Sequence, residues 1–72
     1  MRPKPCKARE VERLLVRLGF TWVRTGGSHR TYIHADGRIT QVPFHSGDVP
    51  TGLLRRIIGS IRITVEQFND EV

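Results

Sequence analysis

Three short segments rich in aromatic and β-branched residues constrain the fold of this 72-residue chain most strongly. Their expected limits are residues 20–24, 29–34 and 39–42. Glycine-containing turns at 25–28 and 35–38 separate them, and the second turn holds Asp36-Gly37, a strong hairpin pattern. Because short turns join antiparallel neighbours, we expect a three-stranded antiparallel sheet. Pro43 has no amide hydrogen and should end the third strand or place it at an edge.

A helical pattern precedes these strands. Its apolar residues recur at the i, i+3, i+4 and i+7 positions of one helix face, at Val11, Leu14, Leu15 and Leu18. Gly19 follows them as a helix stop. The opposite face carries three arginines spaced four residues apart, Arg9, Arg13 and Arg17. This row is either an ordinary solvated surface or a series of phosphate contacts.

A second helical pattern follows the strands. Its apolar stripe consists of Leu53, Leu54, Ile57 and Ile58. We expect Asp48 or Thr51 to cap the start of this helix and Gly59 to end it. Further along the chain, Thr64 and Gln67 match a capping box, which predicts a last short helical turn.

These elements together predict an α+β fold. The expected order is α-β-β-β-α plus a short C-terminal helical turn, with a three-stranded antiparallel sheet and two helices on one of its faces. The other face of the sheet is left open. Double-stranded RNA-binding domains use a scaffold of this sort, although a fold alone does not fix a function.

The size of the chain predicts a single domain over residues 1–72. Cys6 is the only cysteine, which excludes an internal disulfide and fits a reducing compartment. The first ten residues carry charge and proline with no apolar stretch behind them, so we expect no signal peptide, no membrane anchor and a cytoplasmic location. Small domains of this kind are often stabilised by a partner, and a partner protein is expected here.

The chain is strongly basic. Twelve Lys and Arg against seven Asp and Glu give a formal net charge of +5, and the sequence pI is near 10.7. Ten of the twelve cations are arginine, whose planar guanidinium suits bidentate contacts with phosphate. This composition favours a polyanionic partner such as nucleic acid, unless the charge serves only solubility.

The stretch Gly26-Gly27-Ser28-His29 places an imidazole at the start of the second predicted strand. Adjacent glycines allow the backbone to approach a ligand closely and can turn amide groups toward an anion. Histidine exchanges protons near neutral pH. RNA carries its own nucleophile, the 2′-hydroxyl, so its cleavage needs in principle a base, an acid and a cation. His29 is therefore a candidate catalytic base or acid.

Several residues are candidate RNA contacts. Gly27 and Ser28 lie in the turn, where they are expected to meet phosphate. Arg24 and Arg30 are near enough in sequence to supply a cation, but alternation along the strand places His29 and Arg30 on opposite faces, which favours Arg24. The first helical pattern adds Arg13 and Arg17.

Other chemistries have weaker support in the sequence. His45, just past the third strand, could converge with His29 as a second acid or base, which the sequence does not decide. The three histidines are spaced five and eleven residues apart without a matching carboxylate or thiolate pair, so we expect neither a metal site nor a cofactor. Ser28 lacks the Gly-x-Ser-x-Gly turn of a serine nucleophile and is expected to shape the turn or to contact phosphate.

Nearly the whole chain resembles the HicA-type toxins, the small mRNA interferases of bacterial and archaeal toxin–antitoxin pairs. The resemblance runs in order through "LGF", "GGSHRTY", "DGR", "VPFH", "TGLLRRII" and "ITVEQF". The combination in this order is specific, whereas Gly-Ser-His alone would be weak.

The resemblance implies a fold similar to double-stranded RNA-binding domains and a metal-independent endoribonuclease that cleaves mRNA and arrests growth. The active histidine of that family follows a Gly-Ser pair, which in this chain is His29 after Gly27-Ser28. The implied partner is a HicB-type antitoxin that covers the histidine. Two alternatives stay open: a noncatalytic RNA-binding module, and an interaction protein whose basic surface docks on an acidic partner.

Overall fold

The computed structural model describes residues 1–72. Its elements, in chain order, are α1 (Ala8–Arg17), β1 (Phe20–Gly26), β2 (His29–His34), β3 (Ile39–Pro43), α2 (Thr51–Ser60) and α3 (Val65–Glu71). The strands form one antiparallel sheet in the order β1-β2-β3. The predicted α+β fold is confirmed, and the expected last helical turn is a helix of seven residues.

Burial of apolar side chains holds these elements together. Fourteen buried side chains form one cluster. Six of the residues that helical spacing predicted are in this cluster: Val11, Leu14, Leu15, Leu54, Ile57 and Ile58. The other two, Leu18 and Leu53, are partly buried and pack against it. Tyr32 and Val42 reach the same cluster from the sheet, and both are completely buried. Since a fully buried side chain of this size contributes about 1.5–3 kcal/mol relative to exposure, this cluster is the main source of stability.

The helix boundaries agree with the sequence at two places. Gly19 has a left-handed φ of +97° and ends the turn after α1. A side chain there would meet Nε2 of His34 at 3.0 Å, so both the backbone angle and the space favour glycine. The predicted capping box is present at α3, where the Thr64 hydroxyl accepts from the Gln67 amide at 3.0 Å and the Gln67 side chain accepts from the Thr64 amide at 2.8 Å.

The boundaries of α2 differ from expectation. Neither Asp48 nor Thr51 caps the helix, because Pro50 occupies the capping position and Asp48 pairs instead with Lys7. Gly59 does not end the helix either, since α2 continues to Ser60.

Packing explains the extra length of α2. Ile61, the first residue after the helix, is completely buried, and its amide still donates to the Ile57 carbonyl at 3.0 Å. Burying Ile61 requires the helical geometry to continue past Gly59. The chain then reverses at Arg62, which takes a left-handed φ of 58°.

One irregularity in the sheet positions the functional residues. The pairing of β1 with β2 shifts at Val23, an extra residue that forms a bulge. Regular pairing from the start of β1 would set Arg24 opposite Arg30. With the bulge, Arg24 lies opposite Thr31. Since directly opposed residues share a face of the sheet, Arg24 lies on the same face as His29.

Candidate active site

His29 begins β2 on the sheet face opposite to that of the buried Tyr32, and its side chain is exposed. It is paired with Gly26 on β1 and with Pro43 on β3. The space beside Gly26 is open, with no atom within 4 Å of the position that a Cβ would take. Because its neighbour on β1 has no side chain, the imidazole of His29 is accessible from that side.

The structure brings a second histidine close to the first. The ring centroids of His29 and His45 are 6.4 Å apart, with the ring planes at 81°. The Ser28 hydroxyl lies 3.4 Å from Nε2 of His45. We call Ser28, His29 and His45 the histidine cluster. The sequence left the position of His45 undecided, and the structure places it beside His29.

Two local features build this cluster. Gly27 and Ser28 form a two-residue turn between β1 and β2, and Gly27 has the left-handed φ of +59° that such turns require. The segment after β3 packs against the same turn, because the Phe44 amide donates to the Ser28 carbonyl at 2.7 Å. This backbone hydrogen bond positions His45, the next residue, over the turn.

A groove of about 240 Å³ begins at His29 and runs between β3 and α2. We call it the α2 groove. Besides His29, its polar lining residues are Thr40, Gln41, Arg56 and Ser60, and its apolar walls include Leu53 and Ile57. Arg56 is exposed and takes part in none of the ion pairs of the molecule, so its charge is available to a ligand.

A second groove, of about 500 Å³, begins at His45 and is bounded by the start of α1. We call it the α1 groove. Its charged lining residues are Lys7, Arg9, Glu10 and Arg13. Arg9 and Arg13 also form no ion pair within the molecule. Since His29 lines one groove and His45 the other, the two grooves approach each other at the histidine cluster.

The residues predicted to contact phosphate therefore fall into two groups: those near the histidine cluster or in a groove, and those that contact other parts of the fold. Arg24 lies on the face of His29, Arg13 lines the α1 groove, and Gly27 and Ser28 form the turn itself. Arg17 points elsewhere: its guanidinium donates to the Glu71 backbone carbonyl and lies 3.7 Å from the Glu71 carboxylate. Arg17 thus contacts α3 and does not line either groove.

Arg30 also has partners within the fold. Its guanidinium lies 2.9 Å from the Glu12 carboxylate. The same group lies 4.2 Å from the ring centroid of Trp22 and 4.0 Å from that of Phe44. The charge of an arginine held between two aromatic rings and a carboxylate is already paired within the fold. The structure does not bring Arg30 to the histidine cluster.

His34, the remaining histidine, supports the fold. Its Nε2 lies 3.0 Å from the Leu18 carbonyl oxygen, while its Nδ1 accepts from the Asp36 amide at 3.1 Å. The Asp36 carboxylate also lies 3.0 Å from Nδ1. The ring also packs edge-on against Phe20, with centroids 5.1 Å apart. No group of three or more His, Cys, Asp or Glu side chains is placed to hold a metal ion.

Cys6 lies in the core and lines neither groove. Burial raises the pKa of its thiol to about 11, and the charges of Glu10 and Asp48 add to this effect. Because the thiolate is the reactive form, Cys6 is not a nucleophile at neutral pH.

Sequence reasoning missed Arg56. The stretch Arg55-Arg56 follows the apolar pair of α2 and is typical of a solvated helix face. The available indication was helical spacing, because Arg56 is three residues after Leu53 and four before Ser60, which both line the α2 groove. That spacing placed these residues on one side of α2 but could not place β3 and His29 beside them.

None of the three helices has the length and apolar character that crossing a bilayer requires.

A model of the family described as the HicA toxin of bacterial toxin–antitoxin systems matches residues 8–63. This span contains α1, the sheet, the histidine cluster and α2. No curated protein sequence matches the chain. Toxins of the matched family are generally mRNA interferases with a cognate antitoxin. The chain belongs to the HicA toxin family.

Proposed function

We propose that this protein is a metal-independent endoribonuclease that cleaves mRNA with His29 as its catalytic histidine. The observation that carries the proposal is the placement of His29: an exposed imidazole next to the open space at Gly26, at the junction of two grooves that contain unpaired arginines. Membership of a toxin family that generally acts on mRNA supports the same reaction class.

The chemistry requires only groups that RNA and this chain possess. The 2′-hydroxyl oxygen attacks the adjacent phosphorus, and its proton passes to a base. The bond from phosphorus to the 5′-oxygen breaks, and that oxygen takes a proton from an acid. The products are a 2′,3′-cyclic phosphate and a 5′-hydroxyl end. An imidazole in the position of His29 can serve as either the base or the acid.

Charge develops on the phosphoryl oxygens during this step, and positively charged donors stabilise it. We assign this role to Arg56, which lines the groove that begins at His29, and to Arg24, which shares the His29 face. Gly27, Ser28 and Arg13 are proposed contacts to phosphates of the same strand. Arg17 and Arg30 are held by Glu71 and Glu12, so we assign them to the fold.

The proposal includes a HicB-type antitoxin that covers His29. Ile33 and Ile39 lie opposite each other on the same sheet face as His29, and they are 36% and 55% exposed. Exposed apolar side chains next to a functional site are typical of a protein contact. A partner seated on them would block access of RNA to the imidazole.

Because mRNA is the substrate, we place this activity in the cytoplasm.

The test compares wild-type protein with His29→Ala. A defined mRNA is incubated with each protein in EDTA, and both are induced in growing cells. We expect EDTA-resistant cleavage and growth arrest from the wild type, and loss of both with His29→Ala at an unchanged circular dichroism spectrum. Cleavage by the variant would refute the role of His29. RNA that is bound but left intact by the wild type would instead identify a noncatalytic RNA-binding module.

A further inference from the structure

We propose that His45 is a second catalytic residue, so that His29 and His45 divide the two proton transfers of RNA cleavage between them. This inference rests on the proposed ribonuclease activity and adds a residue to it. It starts from the geometry of the histidine cluster, where the centroids of the two rings are 6.4 Å apart and the ring planes lie at 81°.

The contacts of His45 indicate a role outside the fold. Its side chain is exposed, and its one polar contact is the Ser28 hydroxyl at 3.4 Å. His34 provides the comparison, because both of its ring nitrogens have backbone partners and its ring packs against Phe20. Both ring nitrogens of His34 are therefore occupied by contacts within the fold, whereas the ring of His45 is free to contact a substrate.

The separation of the rings suits one phosphodiester. In an in-line displacement the attacking and leaving oxygens lie on opposite sides of the phosphorus. Two imidazoles that lie apart can therefore each form a hydrogen bond of ~2.8 Å, one with the attacking oxygen and the other with the leaving oxygen. Because His29 lines the α2 groove and His45 lines the α1 groove, one ring can meet the 2′-oxygen while the other meets the 5′-oxygen.

The reaction then balances without another reagent. One imidazole, unprotonated at the start, accepts the proton of the 2′-hydroxyl as the new bond from oxygen to phosphorus forms. The other, protonated at the start, gives its proton to the departing 5′-oxygen. The pair ends with its protons exchanged, and exchange with water restores the first state.

The charged surroundings guide RNA to this pair. On the His45 side, the α1 groove presents the unpaired Arg9 and Arg13 beside the carboxylate of Glu10, while Lys7 is paired with Asp48. On the His29 side, Arg56 is the charged residue of the α2 groove. Both grooves are therefore positive overall, and a phosphodiester chain that follows them passes between the two histidines.

The test uses His29→Ala and His45→Ala with two substrates. One is an ordinary RNA oligonucleotide, and the other carries sulfur in place of the scissile 5′-oxygen. A thiolate leaves without being protonated, so a variant that lacks only the acid is rescued by this substrate. We expect both variants to lose ~100-fold or more on ordinary RNA, and one of them to recover on the sulfur substrate. The control is Glu66→Ala, at an exposed residue of α3 that lines neither groove, and it should stay within a few-fold of wild type.

Two results would overturn the inference. His45→Ala could cleave ordinary RNA at nearly the wild-type rate, or both histidine variants could fail on the sulfur substrate as fully as on RNA. In the second case His45 would only position RNA, and its loss would appear as weaker binding. Wild-type protein that cleaves neither substrate would refute the ribonuclease proposal itself and this inference with it, which distinguishes the two failures.

Discussion

The Arg30 guanidinium lies 2.9 Å from the Glu12 carboxylate and thereby fastens β2 to α1. Both side chains are more than two-thirds buried, at 28% and 25% exposure. The Tyr32 hydroxyl donates to the same carboxylate. Burial, together with this hydrogen bond and the Glu12 charge, raises the pKa of Tyr32 well above its usual range, so the phenol stays protonated. One carboxylate thus holds Arg30 and Tyr32, alternate residues of β2, against α1. His29, which directly precedes Arg30, lies on the opposite face of the sheet.

Removal of this carboxylate should destabilise the protein. Glu12→Ala leaves the largely buried Arg30 and the buried Tyr32 hydroxyl without their partner, and we expect a loss of about 2–4 kcal/mol in the free energy of unfolding. Glu12→Gln should cost less, because the amide oxygen can still accept from Tyr32. Urea denaturation measures both. The control is Glu66→Ala at an exposed site without an ion pair, where a change within ~0.5 kcal/mol is expected.

Arg55 and Arg56 are neighbours on α2 with different surroundings, and they form a matched pair of variants. Arg56→Ala removes the unpaired cation of the groove that begins at His29, so we expect cleavage to fall by ~100-fold with unchanged thermal stability. Arg55→Ala removes an equal charge from a side chain that contacts only the Met1 carbonyl, at 3.4 Å, and cleavage should fall by a few-fold at most. Equal losses in the two variants would mean that net charge, rather than position, governs the reaction.

The arginines of α1 allow a similar comparison for RNA binding. Arg13 lines the α1 groove, whereas Arg17 contacts Glu71 of α3. In a titration of a single-stranded RNA oligonucleotide with His29→Ala protein at several salt concentrations, Arg13→Ala should reduce the slope of log K against log salt by ~0.7. Arg17→Ala should leave that slope nearly unchanged. A larger effect from Arg17 would place the RNA path at the other end of α1.

Asp36 provides a test of pH dependence. The Arg38 side chain, which lies 2.9 Å from the Asp36 carboxylate, lowers the pKa of that carboxyl from 3.8 to about 2. Because the folded pKa lies below the unfolded value, the ionised pair stabilises the fold above pH 3.8 and this contribution is lost as the pH falls toward 2.

An NMR titration of the Asp36 carboxyl carbon measures this pKa directly, and a midpoint near 4 would contradict the assigned pairing. Unfolding experiments supply the second readout. Asp36→Asn should lower stability at neutral pH, whereas the difference from wild type should shrink as the pH approaches 2.

Much of the candidate site could be predicted from short stretches of sequence. The Gly27-Ser28 turn identified the position of His29, and alternation along β2 correctly separated His29 from Arg30. These predictions were possible because turn chemistry and side-chain direction depend on residues close together in the chain. The roles of His29 and its neighbours in RNA cleavage stay predictions until the experiments above are done.

Other features were beyond local reasoning. Gly59 was expected to end α2, but burial of Ile61 extends the helix past it. The bulge at Val23, which moves Arg24 to the face of His29, depends on how two whole strands pair. Packing over many residues can outweigh the preference of one residue, which costs about 1 kcal/mol for a glycine within a helix.

The sequence by itself determined the elements, their order, the helix faces that are buried and the turn that presents His29. Only the tertiary structure decided which side chains meet across the site. His45 reaches the turn at Ser28 across 17 residues of chain, through the segment that follows β3. Arg56 comes beside His29 because α2 packs along β3. The physical reason is that periodicity reports the direction of a side chain within its own element, whereas distances between elements follow from packing of the whole core.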